Sequence, residues 1–302
     1  PVMRLIPNRL AVTGTPILTR PIELFALMVF LGVKQRSDYK DYLTTYTESK
    51  VIKGRTVFTG AKNLSGLHSL IQPFTLRRLK KDVLKDLPAK TVTPLFVPIS
   101  NVEEYRQAER NFLSWIREKK GDIAAIKASS AELIVKMNSL RQLAAEGKVL
   151  PVADWLKPCS DGQGKVIIFS SFKEPLVRLA KIKGDSVGYT GSLAKEGRQQ
   201  AVDDFQGTHK YCYFLGTIGA AGVGITLTAA NRVCFLDLPW TPGGKIQAED
   251  RAHRIGQTRP VEIVNVLARG TIDERMLVIL SDKEFIISQA VDGKTKDEAI
   301  SG

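Results

Sequence analysis

The feature of this sequence that most restricts its fold is a regular alternation of two hydrophobic patterns after about residue 160. Five short apolar runs rich in Val, Ile, Tyr and Phe have the character of buried strands. They are KVIIF from Lys165, SVGY from Ser186, YCYFL from Tyr211, RVCFLD from Arg232 and VEIVNVL from Val261. Between them, residues 174–183 and 194–205 carry apolar side chains at helical spacing. This alternation predicts an α/β fold, a doubly wound parallel sheet covered by crossover helices.

Further helices are predicted on both sides of this region. The segments Ser100-Asn-Val-Glu103 and Thr271-Ile-Asp-Glu274 are capping-box signatures. The first predicts a helix through Lys119 and the second an amphipathic helix to about Ala290, while a third helical pattern covers residues 122–143. Near the start, LAVTGTP (10–16) has the pattern of a strand ending in a turn and 21–31 that of a helix, although one strand alone cannot form a sheet.

A basic segment between Pro73 and Pro88 predicts one more short helix. Arg77, Arg78, Lys80 and Lys81 alternate there with apolar residues spaced to pack against a neighbour. Those apolar residues are Leu76, Leu79, Val83, Leu84 and Leu87. The spacing favours a structural helix.

Composition indicates a folded protein with a polyanionic partner. The chain has 302 residues, of which 43% are hydrophobic, enough to bury one or two substantial cores. Lys and Arg total 44 against 31 acidic residues, and the net charge of +13 would attract a polyanion, although a basic balance alone is weak evidence. The longest apolar run, around residues 24–31, is too short to span a bilayer, so we expect a soluble protein.

Cysteine usage favours a reducing, intracellular compartment. Cys159, Cys212 and Cys234 are far apart in sequence, and the chain has only three histidines. This pattern supports neither a disulfide framework nor a zinc site, and we predict no metal ligands in the chain. We expect a cytoplasmic or nucleoid location, with the nucleus as an alternative.

The segment QAEDRAHRIGQTRP (247–260) predicts a phosphate-binding helix. Gln247, Arg251 and Arg254 stand at i, i+4 and i+7, which places them on one helical face. Two guanidiniums on such a face make a forked donor array suited to a polyphosphate. The predicted helix also has an apolar stripe and a glycine where it would stop. These residues are Ala248, Ala252 and Ile255, followed by Gly256.

An alternative interpretation of the same segment is an ordinary solvated surface helix. Asp250 and Arg254, and likewise Glu249 and His253, are spaced as i,i+4 pairs, which are common on exposed helices. Spacing alone gives the two interpretations about equal weight.

Context separates them, because the segment resembles motif VI of the Swi/Snf-type ATPases. These are superfamily 2 helicase-like motors that translocate on double-stranded DNA. Other segments resemble further motifs of this family, in the family's order, over most of residues 10–290. They are VTGTP (12–16, motif III), FTLRRLKKDVLKDLPAKT (74–91, the inter-lobe protrusion), KVIIFSSF (165–172, motif IV), YTGSLAKEGRQQAVDDF (189–205, motif IVa) and GTIGAAGVGITLTAANRVCFLDLPWTP (216–242, motif V and its continuation).

The resemblance implies a RecA-like doubly wound parallel sheet, the helicase C-terminal lobe. It also implies a helical inter-lobe protrusion and a C-terminal brace helix. We expect residues 1–34 to be the end of a first RecA-like lobe and residues 35–99 an insertion plus the protrusion. Residues 100–290 would form the second lobe with its brace helix, and 291–302 a polar tail.

The resemblance also implies roles for individual residues. Arg251 and Arg254 become catalytic arginine fingers, and Gln247, Gly224 and Asp250 become ATP-binding candidates. Candidates for coupling ATP to DNA are Thr13, Gly14, Thr15, Gly222 and Thr226. Candidates for DNA contact are Ser170, Ser171, Phe172, Arg198, Thr217 and Trp240.

Several of these candidates have plain structural alternatives. The glycines from Gly219 to Gly224 could simply permit a tight strand-to-helix turn. Ser170 or Ser171 could cap the helix that follows, and Arg198 could be a solvated surface residue. Thr226 and Thr241 stand where many relatives have Asn, which leaves their side-chain contacts open.

The 302 residues contain no G-x-x-x-x-G-K-[ST] string and no Asp-Glu-x-His or Asp-Glu-Ala-His string. The resemblance places both motifs, and the ligands of the Mg²⁺ that accompanies ATP, on the first lobe. We therefore expect ATP hydrolysis only together with an N-terminal lobe supplied in cis or in trans, and no activity from this chain alone. Double-stranded DNA and DNA-bound proteins are the expected partners. The alternatives are a non-catalytic DNA-binding remnant and a strand-separating helicase.

Overall fold

The computed structural model describes residues 6–52, 55–58, 60–119, 130–156, 164–222 and 224–294. These residues form two compact units. The first consists of the residues up to Arg78, residues 241–243 and the chain from Ile279 onward, and the second of Leu79–Trp240 and Gly244–Val278. The functional domain boundaries expected from the sequence stay a prediction.

The first unit contains helices around a small apolar core and one hairpin. Its elements before Arg78 are α1 (Ile22–Leu31), α2 (Tyr39–Tyr46), β1 (Ser49–Ile52), β2 (Arg55–Phe58) and α3 (Leu64–Ile71). Strands β1 and β2 pair antiparallel. Helix α1 confirms the helix predicted over 21–31, and it ends at Gly32, whose φ of 80° is left-handed.

The segment 35–66, to which the sequence assigns no role, helps to build this core. The Tyr42 ring lies 5.1 Å from that of Phe25, and the Tyr42 hydroxyl donates to the Pro21 carbonyl oxygen at 2.6 Å. Leu64 and Leu67 pack in the same cluster. The segment is therefore part of the core of the first unit.

The predicted strand in LAVTGTP is wrong. Residues 9–13 form no regular element, and Leu10 and Val12 are 82% and 89% exposed. A strand is stabilised by hydrogen bonds to a neighbouring strand. In the part of the chain that the structure describes, β1 and β2 pair only with each other and no strand pairs with this segment.

The predicted helix between Pro73 and Pro88 is also wrong in extent. Only one helical turn forms, α4 (Lys80–Val83), and Leu76 is 80% exposed. A helix of this length depends on burying its apolar face, because its own hydrogen bonds cannot offset the cost of nucleation. With Leu76 and Val83 exposed, that stabilisation is missing.

The second unit is built on a six-stranded sheet in the order β3-β8-β7-β4-β6-β5, and every pairing is parallel. The strands are β3 (Lys90–Phe96), β4 (Lys165–Ser170), β5 (Ser186–Tyr189), β6 (Tyr213–Thr217), β7 (Ala230–Phe235) and β8 (Val261–Leu267). All five predicted strands are confirmed. The edge strand β3 was not predicted, because its Thr and Pro residues interrupt the apolar pattern.

Helices cover this sheet, as the alternation of patterns predicted. The helices after β3 are α5 (Val102–Lys119), α6 (Ser130–Gly147), α7 (Val149–Trp155), α8 (Lys173–Ile182), α9 (Lys195–Gly207), α10 (Ile218–Ala221), α11 (Pro242–Glu249) and α12 (Ile272–Asp292). Residues 241–243 at the start of α11 and the part of α12 from Ile279 belong to the first unit. The helix predicted over 122–143 is confirmed from Ser130, and its start lies outside the described residues. The brace role of α12 stays a prediction.

The strand order creates a switch point between β4 and β7. From β4 the chain builds β5 and β6 on one side, and it then builds β7 and β8 on the other. Ile168 of β4, Leu215 of β6 and Cys234 of β7 pack into the same buried cluster, so the three central strands share one core. Open parallel sheets bind ligands at the carboxyl ends of the strands, next to such a point.

Candidate functional site

A buried ion pair joins the carboxyl ends of β4 and β7 at the switch point. Arg141, on α6, is 2% exposed and its Nη2 donates to Asp237 Oδ2 at 3.1 Å and to the Leu238 carbonyl oxygen at 2.6 Å. Asp237 Oδ1 accepts from Ser170 Oγ at 2.5 Å and from the Ser171 amide at 2.9 Å. The loop after β4 is thereby fixed to the loop after β7.

Two aromatic rings are held by the same guanidinium. It lies 5.4 Å from the ring centre of Phe172 and 4.7 Å from that of Trp240. Asn138 Oδ1 accepts from Arg141 Nη1 at 2.9 Å and from Trp240 Nε1 at 3.0 Å. Burial lowers the pKa of Arg141, while the charge of Asp237 acts in the opposite direction. Ser171, Phe172 and Trp240, all predicted DNA contacts, are thus gathered around one buried cation.

Ser170 is completely buried, and its contact with DNA stays a prediction. Its hydroxyl donates to Asp237 and accepts from the Phe172 amide at 3.0 Å, just before α8 begins. It does not cap α8, because no described side chain makes a capping hydrogen bond to that helix. Ser170 instead links the loop after β4 to the loop after β7.

The other predicted DNA contacts lie at the same edge of the sheet. Thr217 ends β6 and is half-buried. Arg198 donates to the Gly191 carbonyl oxygen at 2.8 Å, in the loop after β5, where Thr190 Oγ1 and Ser192 Oγ are 2.9 Å apart. Arg198 therefore supports the loop of motif IVa. Direct contacts to DNA from any of these residues stay predictions.

The two predicted arginine fingers converge on one backbone carbonyl. Arg251 Nη1 and Arg254 Nη1 donate to the Ile225 oxygen at 3.1 and 3.3 Å. Arg251 Nε also donates to the Gln247 carbonyl oxygen at 2.9 Å. Burial and the nearby charge of Arg254 lower the pKa of Arg251. Motif VI and the motif V loop therefore meet at Ile225.

The helical geometry predicted for this convergence is wrong. Helix α11 ends at Glu249, and residues 250–256 form turns in which Ile255 is 76% exposed. The Arg251 amide donates to the Ala248 oxygen, and the Arg251 side chain donates to the Gln247 oxygen. A continuing helix would use the Gln247 oxygen for the Arg251 amide. The arginines therefore meet through a turn and not through i,i+3 spacing.

The acidic residues of motif VI do not form the i,i+4 pairs of the alternative interpretation. Glu249 is 2% exposed and pairs with Lys90 at 2.6 Å and with Lys245 at 2.7 Å. Asp250 pairs with Lys80 Nζ at 2.5 Å, so its carboxylate is engaged by protein. The ATP-binding roles expected of Asp250 and Gln247 stay predictions.

The turn of motif VI is also tied to the strands beneath it. Leu227 N donates to the Arg251 oxygen at 2.9 Å. Gln257 is 6% exposed, and its Nε2 donates to the Thr228 oxygen at 3.2 Å and the Ala230 oxygen at 2.8 Å. Sequence reasoning missed Gln257, because one amide side chain in a turn has no periodic signal.

The motif V loop contains one glycine whose backbone requires it. Gly224 has φ of +80°, a left-handed conformation that other residues adopt at a cost. It is exposed, and no atom lies within 4 Å of the position of an added Cβ. Gly222 is right-handed, and Thr226 is half-buried. The turn interpretation applies to Gly224, and its ATP-binding role stays a prediction.

Replacing Gly224 by Ala is expected to destabilise the protein by about 1–2 kcal/mol, the cost of a left-handed residue with a Cβ. Gly224→Asn should cost less, because Asn tolerates this region better. Gly219→Ala is the matched control: Gly219 lies in α10 with open space around it, so Ala should be neutral or slightly stabilising. Urea denaturation measures all three, and equal stability of the two Ala variants would contradict the prediction.

The motif III candidates lie in the first unit. Thr15 N bonds to Thr13 Oγ1 at 3.1 Å, and Gly14 has open space around it. A Cβ added to Gly243, also in this unit, would lie 3.1 Å from Thr15 Cγ2. Thr15 therefore packs closely on the backbone at the start of α11. The coupling roles of Thr13, Gly14, Thr15, Gly222 and Thr226 stay predictions.

The thiols of the second unit are structural. Cys212 and Cys234 are both buried, and burial raises the pKa of Cys234 to about 12. Cys159 lies outside the described residues. Where the structure describes the chain, no group of three His, Cys, Asp or Glu side chains is arranged to hold a metal ion. None of the helices described combines the length and apolarity needed to cross a membrane.

Comparison with known families identifies the family that these motifs represent. The model of the SNF2-related domain matches residues 5–149, and that of the helicase conserved C-terminal domain matches residues 147–256. The chain belongs to the SNF2-related family. The match to the helicase conserved C-terminal domain makes the chain helicase-like at the level of the family, as the order of the motifs predicted.

Two relatives match nearly the whole chain. The SWI/SNF-related matrix-associated actin-dependent regulator of chromatin subfamily A-like protein 1 of Xenopus tropicalis is 28% identical over 305 residues, covering 96% of this chain and 31% of its own length. An uncharacterized ATP-dependent helicase of Mycoplasma genitalium is 28% identical over 295 residues, covering 93% of this chain and 28% of its own length. The chain thus spans less than a third of these relatives.

A solved structure supports the fold of this SNF2-related chain. The Sulfolobus solfataricus SWI2/SNF2 ATPase core in complex with double-stranded DNA superposes with a TM-score of 0.52 at 24% identity. The match covers 89% of this chain and 60% of that one. The RecA-like sheet predicted from the sequence is therefore confirmed.

Proposed function

We propose that this chain is the C-terminal motor segment of an ATP-dependent translocase on double-stranded DNA. In the proposal it supplies Arg251 and Arg254 as arginine fingers and the carboxyl edge of its sheet as the DNA-facing surface. The convergence of both guanidiniums on the Ile225 carbonyl oxygen carries the proposal. This contact joins motif VI to the motif V loop, and the edge residues that face DNA in the family lie at the end of the same sheet.

The arginine pair fits a phosphate group chemically. Among the described residues, the Arg254 guanidinium makes one hydrogen bond, to the Ile225 oxygen, and a guanidinium has five N–H donors. Arg251 uses two donors, Nε and Nη1. The remaining donors suit the oxygens of a polyphosphate, which guanidiniums bind in a forked geometry.

In this mechanism Arg251 and Arg254 act on the transferred phosphoryl group of ATP. They neutralise the charge that develops on its oxygens, which stabilises the transition state. The P-loop, which these 302 residues do not contain, is proposed to lie on a partner lobe in cis or in trans. That lobe would hold the Mg²⁺, which supplies charge neutralisation between the phosphates when bound.

The DNA-facing role is supported by where the predicted contacts gather. Ser171, Phe172 and Trp240 surround Arg141, while Arg198 and Thr217 lie at the ends of β5 and β6. The net charge of +13 favours a polyanion. Because motif V leads from the end of β6 to Ile225, a shift at the arginines would be transmitted to this edge. We propose movement along duplex DNA without strand separation.

Measuring ATP turnover tests the proposal. The isolated chain and the full-length protein that carries it are compared with and without double-stranded DNA. We expect ATP turnover by the full-length protein and not by the isolated chain, and we expect DNA to stimulate it. Turnover by the isolated chain would overturn the assignment, and turnover by neither would favour a non-catalytic DNA-binding protein. Release of a labelled strand from a duplex would show a strand-separating helicase instead.

A further inference from the structure

Lys80 makes two contacts to the turn that presents the arginine pair. Its Nζ lies 2.5 Å from Asp250 Oδ1 and donates to the His253 carbonyl oxygen at 3.0 Å. Asp250 and His253 stand on either side of Arg251 along the chain. One ammonium therefore fixes both a side chain and a backbone carbonyl around this arginine.

The rest of the segment from Lys80 to Lys90 holds the same turn. The Pro88 carbonyl oxygen lies 2.8 Å from His253 Nε2, and Lys90 pairs with the buried Glu249 at 2.6 Å. We call residues 80–90 the anchoring segment. All of these contacts lie within the second unit. The anchoring segment thus contacts the end of α11 at Glu249 and the following turn at Asp250 and His253.

The turn needs such contacts because the helix has ended before Arg251. The carbonyl groups at a helix end lack helical partners and must be satisfied by other groups. On one side of the turn, Leu227 N donates to the Arg251 oxygen, and Gln257 Nε2 donates to the Ala252 oxygen at 3.3 Å. On the side of the anchoring segment, Lys80 Nζ donates to the His253 oxygen.

Charge gives Lys80 a second role. Asp250 directly precedes Arg251, and a carboxylate without a partner there would attract a neighbouring guanidinium. Lys80 forms an ion pair with this carboxylate, and the guanidiniums of Arg251 and Arg254 donate to the Ile225 carbonyl oxygen instead.

We infer that Lys80 is a positioning residue for Arg251 and Arg254. It sets the geometry of the turn and keeps Asp250 away from the two guanidiniums. The inference rests on the proposed function of the arginines.

The test compares Lys80→Gln with Lys85→Gln in the full-length protein. Lys85 belongs to the anchoring segment, is exposed and makes no ion pair among the described residues, so this control removes the same charge. Lys80→Gln is expected to lower kcat of DNA-stimulated ATP hydrolysis by about 10- to 100-fold, the effect of misplacing a catalytic group by about an ångström. KM for ATP, DNA affinity and Tm should stay close to those of Lys85→Gln.

A merely structural role would give a different pattern. Lys80→Arg, which keeps the charge and more than one donor, should recover most of kcat. The double variant Lys80→Gln with Asp250→Asn should lower kcat less than Lys80→Gln alone, because the carboxylate would no longer compete for a guanidinium. A fall in Tm that accompanies the loss of kcat, without recovery in Lys80→Arg, would overturn the inference.

Arg251→Ala separates this inference from the function on which it rests. If Arg251→Ala abolishes turnover while Lys80→Gln equals Lys85→Gln, Lys80 is not a positioning residue and the arginine-finger proposal stands. If Arg251→Ala leaves turnover unchanged, the arginine-finger proposal itself fails, and the inference fails with it.

Discussion

Replacing Arg251 by Ala in the full-length protein is expected to lower DNA-stimulated ATP turnover by about 10³-fold or more, the range found when an arginine finger is absent. The guanidinium acts on charge that appears only in the transition state, so kcat should fall while KM for ATP changes little. DNA binding should be nearly unchanged, because Arg251 contacts the Gln247 and Ile225 carbonyl oxygens and none of the predicted DNA-facing residues. Steady-state kinetics and a DNA-binding titration measure both effects.

Arg259→Ala is the matched control for this experiment. Arg259 follows the same turn and is exposed, and its Nη2 donates to the Ala229 oxygen at 2.8 Å and not to Ile225. It therefore removes one positive charge from the segment without touching the arginine pair. Turnover of Arg251→Ala within a factor of two of this control would show that Arg251 is not a finger.

Much of the fold could be predicted because central parallel strands are buried on both faces. Such strands appear in sequence as continuous apolar runs, and β4, β6, β7 and β8 have this form. The edge strand β3 escaped prediction because it has water on one side, and Thr91, Thr93 and Pro94 break its pattern. Its place became visible only through its pairing with β8.

The site was only partly predictable for a different reason. Helical spacing predicted that Arg251 and Arg254 lie together, and both donate to the Ile225 oxygen. The predicted helical geometry was wrong, because spacing cannot reveal that the Arg251 side chain, and not its amide, bonds to the Gln247 oxygen. Arg141 was missed since an arginine in a helical pattern gives no sign of burial. Asp237 offered a usable signal, because it is a carboxylate at the end of the apolar run RVCFLD (232–237).

The ion pair between Arg141 and Asp237 leads to the largest expected effect on stability. Arg141→Met should destabilise the chain by about 3–5 kcal/mol, because it leaves the buried carboxylate of Asp237 without its cation. Arg232→Met is the control: its ion pair with Glu262 is 31% and 36% exposed, and such surface pairs contribute about 0–1 kcal/mol. Equilibrium urea denaturation of the chain, monitored by circular dichroism, gives the free energy of unfolding of the two variants.

The double variant Arg141→Met with Asp237→Leu distinguishes a lost charge partner from lost packing. Removing both charges leaves no unpaired ion, so part of the stability should return, although the Ser170 hydroxyl and Ser171 amide lose their acceptor. If Arg141→Met costs less than about 1 kcal/mol, the pair is not a structural link between the strands. In that case the neighbouring rings of Phe172 and Trp240 must be held by packing alone, and the edge proposed to face DNA would be less firmly held than its contacts indicate.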